Sequence, residues 1–446
     1  MALTGIQIFK ILPKTNCGEC KYPTCLAFAM ALAAAKAELD ACPHLSDEAR
    51  AELSDASAPP IRQVTIGVGD YEVKIGGETV LFRHEKTFFN KPGFAILITG
   101  EMDDGEVDER FSKLAQYQYE RVGLTLRPEI IALKEAGNKE KFINLVKRAF
   151  SEPYSMILMS CDPSIMKEVL EISKAKRPLI YAATKDNYEA FGALAKEYGC
   201  PLSVKGEGIE GVADLTEKLT GMGLKDLVID TSTRSVKDSF QEQVIIRRGA
   251  LIGKYKPIGF PTIVFPSEMT DNLMKETLIA SCFVAKYAGI IVLSDCQGES
   301  IFPLLLQRLN IYTDPQRPMT TQEGIYPINN PDETSPVLVT CNFSLTYFIV
   351  SNEIENSRIP SWLCVMDTEG LSVMTAWAAG KFAGDLVGAF IKKCGIAEKV
   401  KHKKLIIPGY AAGILGDLEE ELPGWEILIG PREAAHIPAY LRMWKP

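Results

Sequence analysis

The sequence predicts an α/β protein in three parts: an N-terminal cysteine module, a central (β/α)8 TIM barrel and a small C-terminal doubly wound domain. Three observations point there. Four cysteines crowd the first tenth of the chain. Eight short apolar segments then alternate with amphipathic helical stretches, and four more such units follow a proline-rich break. A chain of 446 residues is also too long for one ordinary domain, which makes about two to four the expectation.

The cysteines come first. Cys17, Cys20, Cys25 and Cys42 spell C-x2-C-x4-C-x16-C. Thiolates two to four residues apart can converge on one edge of a cubane, and a distant fourth closes the cage, so the spacing predicts a 4Fe–4S cluster. Gly18 and Pro23 help wrap the loop, and Leu26 to Leu39 is an Ala-rich helix former that returns the chain to Cys42. Zinc is the alternative, although structural zinc favours two C-x2-C pairs and only one is present; unligated thiols are the other. Disulfides are disfavoured because no secretory leader is read before them. The module is expected to occupy residues 1–58, ending in the small, polar, proline-terminated stretch Ser54 to Pro60, which reads as a linker.

Residues 59–93 carry strand-like alternation, with Gly76-Gly77 expected as the turn of a hairpin between Tyr71–Ile75 and Thr79–Arg83. From Phe94 the barrel pattern runs through Phe94–Thr99, Glu129–Leu133, Ser155–Ser160, Leu179–Thr184, Pro201–Lys205, Asp226–Asp230, Thr262–Phe265 and Gly289–Ser294. A helix candidate follows each, for example Pro163–Ala175 and Asn187–Tyr198. The count and length suit a (β/α)8 barrel over 94–312; a doubly wound sheet split in two is the competing reading. Prolines and Asn329-Asn330 between Tyr312 and Pro336 mark a boundary. Beyond it, Val337–Cys341, Trp362–Asp367, Lys404–Ile407 and Trp425–Ile429 are too few for a barrel. They suggest a Rossmann- or flavodoxin-like domain over 313–446, with ligands at the carboxyl ends of its strands.

Composition narrows the function. The formal charge of -8 and isoelectric point near 5.4 argue against a nucleic-acid partner. No apolar run reaches membrane-spanning length, so a cytoplasmic protein is expected, with its seven other cysteines mostly buried apolar residues. Gly206 to Gly211 spells G-x-G-x-x-G, with Asp230 at a distance suited to a ribose contact. Glu207 and Glu210 would repel a pyrophosphate there, and glycines serving a barrel turn are the other reading. Asp162, Asp230, Ser267-Glu268 and Asp295 end barrel strands, as acid–base groups or as helix caps. In the last domain, loops rich in Gly, Ala, Ser and Thr follow Thr340, Asp367, Pro408 and Gly430. Such loops let backbone approach a large flat ligand, or are merely tight turns. His44, His84, His402 and His436 read as surface residues, and no catalytic arrangement is assigned.

The stretch Leu12 to Cys20 through Cys42-Pro43, followed by a barrel and by Asp367-Thr368-Glu369-Gly370-Leu371-Ser372-Val373, resembles the large (gamma) subunit of the corrinoid iron–sulfur protein. That family carries methyl groups in the acetyl-CoA (Wood–Ljungdahl) pathway of carbon fixation, and has a counterpart in the acetyl-CoA decarbonylase/synthase complex. The resemblance implies that Cys17, Cys20, Cys25 and Cys42 hold the cluster, and that the C-terminal domain binds a cobalamin-type corrinoid at the interface with a small subunit, as a heterodimer. It places Thr340, Thr346, Gly370, Leu371, Ser372, Val373, Gly409 and Ala434 at the corrinoid. It implies that cobalt takes a methyl group from methyltetrahydrofolate through a methyltransferase and gives it to CO dehydrogenase/acetyl-CoA synthase, the cluster restoring Co(II) to Co(I). No D-x-H-x-x-G motif occurs, so cobalt is expected without a protein histidine ligand. A cluster-bearing electron-transfer subunit without a corrinoid is the alternative, and a barrel enzyme with a regulatory domain a third reading.

Overall fold

The computed structural model describes residues 4–33, 37, 39–46, 49–50, 53, 59–121, 124–314 and 318–446. Contacts divide the chain into two compact units, residues 1–117 with 128–312, and residues 118–127 with 313–446. The expected linker falls mostly on residues 54–58, outside the described residues.

The first unit opens on helices Gly5–Ile11 and Cys25–Ala33, then on β1 (Val64–Ile66) and β2 (Val73–Ile75), an antiparallel pair. The barrel follows in β3 (Gly93–Thr99). A short antiparallel pair, β4 (Tyr119–Arg121) and β5 (Leu124–Leu126), belongs to the other unit. The barrel resumes with β6 (Ile130–Lys134), β7 (Ser155–Met159), β8 (Leu179–Ala183), β9 (Leu202–Lys205), β10 (Leu227–Asp230), β11 (Ile263–Val264) and β12 (Ile290–Leu293). These pair in parallel in the order β10-β9-β8-β7-β6-β3-β12-β11, and a parallel bridge from Ile229 to Thr262 joins the two ends. All eight expected barrel strands are present and the ring is nearly closed, so the split-sheet alternative falls. Residues of β6, β7, β8 and β12 are almost wholly buried apolar ones, as a parallel sheet covered on both faces requires. Helix starts are set locally: Asp103 with Glu106 forms a capping box, and Asn138, Asp162, Ser235 and Asn272 accept from the first-turn amides of their helices.

The hairpin differs from expectation. The strand Val73–Ile75 pairs back to Val64–Ile66, and residues 79–83 form no strand. Gly76 and Gly77 have φ of +74° and +78°. A Cβ on Gly76 would lie 2.2 Å from the Arg62 carbonyl oxygen. These glycines therefore allow a close backbone crossing, and the turn lies in residues 67–72. Val64, Ile66, Val73 and Ile75 pack with Ala95, Ile130, Ile157 and Leu179 of the barrel interior. The Tyr71 carbonyl accepts from Ser155 Oγ and the Thr65 carbonyl from Arg177, at the amino ends of β7 and β8. The hairpin plugs that end of the barrel.

In the second unit, β13 (Gly324–Ile328), β14 (Val337–Cys341), β15 (Ser361–Met366), β16 (Lys404–Ile407) and β17 (Glu426–Ile429) form one sheet in the order β13-β15-β14-β16-β17. The four expected parallel strands are present, and β13 adds an antiparallel edge within the stretch read as a boundary. Pro327 inside it disguises the strand, yet proline is tolerated on an edge. Strand order reverses between β14 and β16, the switch point where doubly wound sheets bind ligands.

Candidate functional site

The cysteine loop is wound by residues with positive φ: Lys14, Asn16, Gly18 and Lys21. Asn16 closes it. Its Oδ1 accepts from the Cys25 amide at 2.8 Å, and its own amide donates to Cys25 Sγ at 3.4 Å. Thr24 Oγ1 then accepts from the Ala27 amide and caps the helix that Cys25 starts. A short 3-10 turn, Leu39–Ala41, delivers Cys42. Cys20, Cys25 and Cys42 are buried among Ile8, Leu12, Phe28, Ala29 and Leu45, while Cys17 is exposed beside Glu19 and His44, with their ligand atoms all within 4.8 Å. Three buried sulfurs and an exposed fourth, one of them accepting an N–H···S bond, are the donor types that hold an iron–sulfur cluster.

A cleft of about 330 Å3 opens at the switch point of the second unit. Its floor is Leu338, Val339, Thr340, Ile406 and Ile407; one wall is Thr346, Ile349 and Val350, and another Ser372, Val373 and Met374. Tyr410 and the run Gly430 to Ala434 complete it. Asn342 sets the middle wall. Its Oδ1 accepts from the amides of Thr368 and Gly370 and from Thr368 Oγ1, each at 3.0 Å, and its Nδ2 donates to Asp367 Oδ1 at 2.8 Å. Glu369 and Gly370, with φ of +55° and +76°, complete a tight loop that presents Ser372 and Val373. Thr340 is 2 % exposed and its Oγ1 has no hydrogen-bond partner, an unmet polar group on the floor of a cleft lined chiefly by apolar side chains. Tyr410 donates to Glu433 at 2.7 Å, which pushes its phenol above the usual range.

The CO dehydrogenase/acetyl-CoA synthase delta subunit model matches residues 63–441, and the FeS iron–sulfur cluster model matches residues 12–44, a span containing all four cysteines. The large subunit of the corrinoid/iron-sulfur protein of Moorella thermoacetica is 43% identical over 99% of each chain. This chain belongs to the corrinoid/iron–sulfur protein large-subunit family. The family reaches into the archaea. The gamma subunit of the acetyl-CoA decarbonylase/synthase complex of Methanopyrus kandleri is 36% identical over 98% of this chain and 97% of its own length. A gamma 2 subunit from Methanosarcina thermophila is 37% identical over 99% and 98%.

For a corrinoid/iron–sulfur family member, the cleft brings together Thr340, Thr346, Ser372, Val373 and Ala434 of the residues expected at the ligand. Gly370, Leu371 and Gly409 do not line it. Gly370 shapes the loop that Asn342 holds, and Leu371 packs against the sheet. A Cβ on Gly409 would meet the Gly430 carbonyl at 2.6 Å and the Arg432 amide at 2.8 Å, so this glycine lets two strand-end loops cross. The small-residue loops expected at a ligand hold Asn342, Tyr410 and Arg432, though the sequence singles out none of the three, and Ile349 lies outside those loops. A buried-strand run ending in Asn just before a helix was the available signal. None of the four histidines lines the cleft. His402 is not a free surface residue: it bonds the Ser335 carbonyl at 2.9 Å and packs on Trp444. His436 precedes the last helix and is exposed.

The remaining expectations sort cleanly. Gly206 serves a turn, since its Cβ would meet the Val212 amide at 2.5 Å, and the Gly208 amide is already bonded to the Thr231 carbonyl. Asp162 is a helix cap, whereas Asp295 is ion-paired with Arg110 and Lys113. Among the described residues no helix is long and apolar enough to cross a membrane.

Proposed function

We propose that the chain is the cluster-bearing subunit of a methyl carrier, a component of a corrinoid-dependent methyltransferase system, with a 4Fe–4S module over residues 1–58 and a corrinoid-binding domain over 313–446. A corrinoid supplies a cobalt nucleophile that accepts and releases a methyl group, and the cluster supplies single low-potential electrons to restore it. The observation that carries this reading is the Thr340 hydroxyl, buried and unpartnered at the switch point, in a chain whose other end carries the C-x2-C-x4-C-x16-C motif.

Cys17, Cys20, Cys25 and Cys42 hold the cluster. Thr340, Thr346 and Ser372 offer hydroxyls to the polar edge of the corrinoid, and Val350, Val373 and Ile407 pack against it. A cleft of about 330 Å3 takes one part of so large a molecule. The rest is left for the small subunit, which covers the exposed Ile349, Met374 and Tyr410 of the cleft. No histidine reaches cobalt from this chain. The methyl donor is methyltetrahydrofolate, through its methyltransferase, and the acceptor is CO dehydrogenase/acetyl-CoA synthase, all in the cytoplasm.

Cobalt and iron stoichiometry of the purified heterodimer, with absorbance, tests the assignment. Cys17→Ala is expected to abolish activation from Co(II) by a physiological donor, yet to spare methyl transfer once cobalt is Co(I). Iron without cobalt would instead favour the electron-transfer subunit.

A further inference from the structure

Side chains facing a barrel interior recur at every second strand position. Ser203 and Lys205 of β9 lie opposite Val228 and Asp230 of β10. Val228 is in the barrel core, so Lys205 and Asp230 form the next layer toward the carboxyl mouth. Tyr181 of β8, also in that core, donates its hydroxyl to Asp230 Oδ2 at 2.6 Å. Arg234 grips both Asp230 oxygens at 3.0 Å and donates through Nε to Glu268. The Ser232 amide supplies another bond to Asp230 at 2.9 Å. Asp230, 2 % exposed, is thus saturated with donors and caps no helix. It fixes a rigid floor of Tyr181, Arg234 and the Phe265 ring, on which the guanidinium also rests at 4.5 Å.

Two cations stand over this floor with donors to spare. Lys134, at the end of β6, has its Nζ 3.7 Å from Glu268 Oε1, beyond hydrogen-bond range, and half of the side chain is exposed. Lys205 Nζ lies 5.9 Å from the Tyr181 ring centre and makes no ion pair among the described residues. Arg234, Lys134 and Lys205 therefore share Asp230 and Glu268, while the neighbouring Glu242 is taken by the Thr231 hydroxyl. One layer deeper the Ser203 hydroxyl is wholly buried with no partner. Among the described residues this layer thus keeps an unpaired ammonium on Lys205 above a buried, unpartnered hydroxyl on Ser203, at the face where barrels of this class bind their ligands.

We propose that the carboxyl mouth of the barrel binds a small molecule through a carboxylate or phosphoryl group, gripped by Lys134 and Lys205 above the Tyr181–Asp230–Arg234 floor. This site is independent of the cleft and does not rest on the methyl-carrier reading.

Calorimetric titration of the full-length chain with inorganic phosphate and with glutarate, in chloride buffer at matched ionic strength, tests it. At least one probe is expected to saturate a single site. Lys205→Ala and Lys134→Ala are each expected to weaken it about 10-fold or more, the loss of one charge-assisted bond. Lys174→Ala, at the opposite end of the barrel, should leave it unchanged. Phosphate binding alone identifies a phosphoryl ligand, and glutarate binding alone a carboxylate. Lys205→Gln, which keeps much of the stem, guards against loss through misfolding, with the thermal midpoint as control. Failure of both probes to bind at millimolar concentration would overturn the proposal. So would binding that survives both lysine substitutions.

Discussion

Thr340 and Asn342 stand two residues apart and carry opposite energetics. Asn342 satisfies four polar groups of the neighbouring loop from a nearly buried position. Removing it strands donors that cost about 1–3 kcal/mol. Thr340 satisfies nothing, since its buried hydroxyl lacks a partner. Asn342→Ala is therefore expected to lower stability by about 2 kcal/mol in urea denaturation. Thr340→Val should leave stability unchanged or raise it, because valine loses only an unmet hydroxyl. Its effect belongs to binding: corrinoid retention should fall about 5- to 10-fold, the value of one neutral hydrogen bond. Equal loss of stability in both variants would show that the Thr340 hydroxyl has a partner within the fold.

At the scale of elements, helix Gly298–Ile311 is tied across the barrel by Arg308. Its guanidinium pairs with Glu129, each nitrogen at 2.7 Å, and bonds the Pro92 carbonyl at 2.8 Å. Burial raises the Glu129 carboxyl, but Arg308 and Lys91 outweigh it and hold the group below the usual range. A lowered folded value means that this stabilisation is present above the unfolded carboxylate value and is lost as pH falls through the folded one. Glu129→Gln should cost about 3 kcal/mol at pH 7, and the gap from the unsubstituted protein should close below about pH 4.5. A constant gap from pH 7 to pH 3 would refute the assignment. Glu78, buried against Arg247 at 3.0 Å, goes the other way: desolvation dominates and its carboxyl is raised. Its charged form opposes folding, so Glu78→Gln should not show that closing gap.

These elements also show what a one-dimensional reading can reach. Strands of Val, Ile and Leu covered on both faces announce themselves as apolar runs, which is why the eight barrel strands and four of the five C-terminal ones were legible. The Gly76-Gly77 dipeptide was misread because a close crossing and a tight turn ask the same thing of the chain, positive φ without a Cβ. Edge strand β13, with Pro327, and the three-residue strands β4 and β5 carry too little periodicity to register. In the cleft, the small residues of the loops were visible, whereas Asn342 acts through bonds to residues 25–28 positions away, which no local pattern encodes.

At the scale of the molecule, each unit has its own core. One is built around Ile130, Ile157 and Leu179, the other around Val339, Cys364 and Leu405. Ligands that bind one folded unit stabilise that unit alone, by RT ln(1 + [L]/Kd), or about 2.7 kcal/mol at a hundredfold excess over Kd. The cleft is built wholly from the second unit, and Cys17, Cys20, Cys25 and Cys42 all lie in the first. Hydroxocobalamin is therefore expected to raise the thermal transition of the second unit and to leave that of the first in place. Cys25→Ser should lose iron while keeping this cobalamin-dependent shift. Differential scanning calorimetry with metal analysis reads both. A single transition that moves as one with cobalamin would show that the two cores melt together, and that neither cofactor can be lost without consequence for the other.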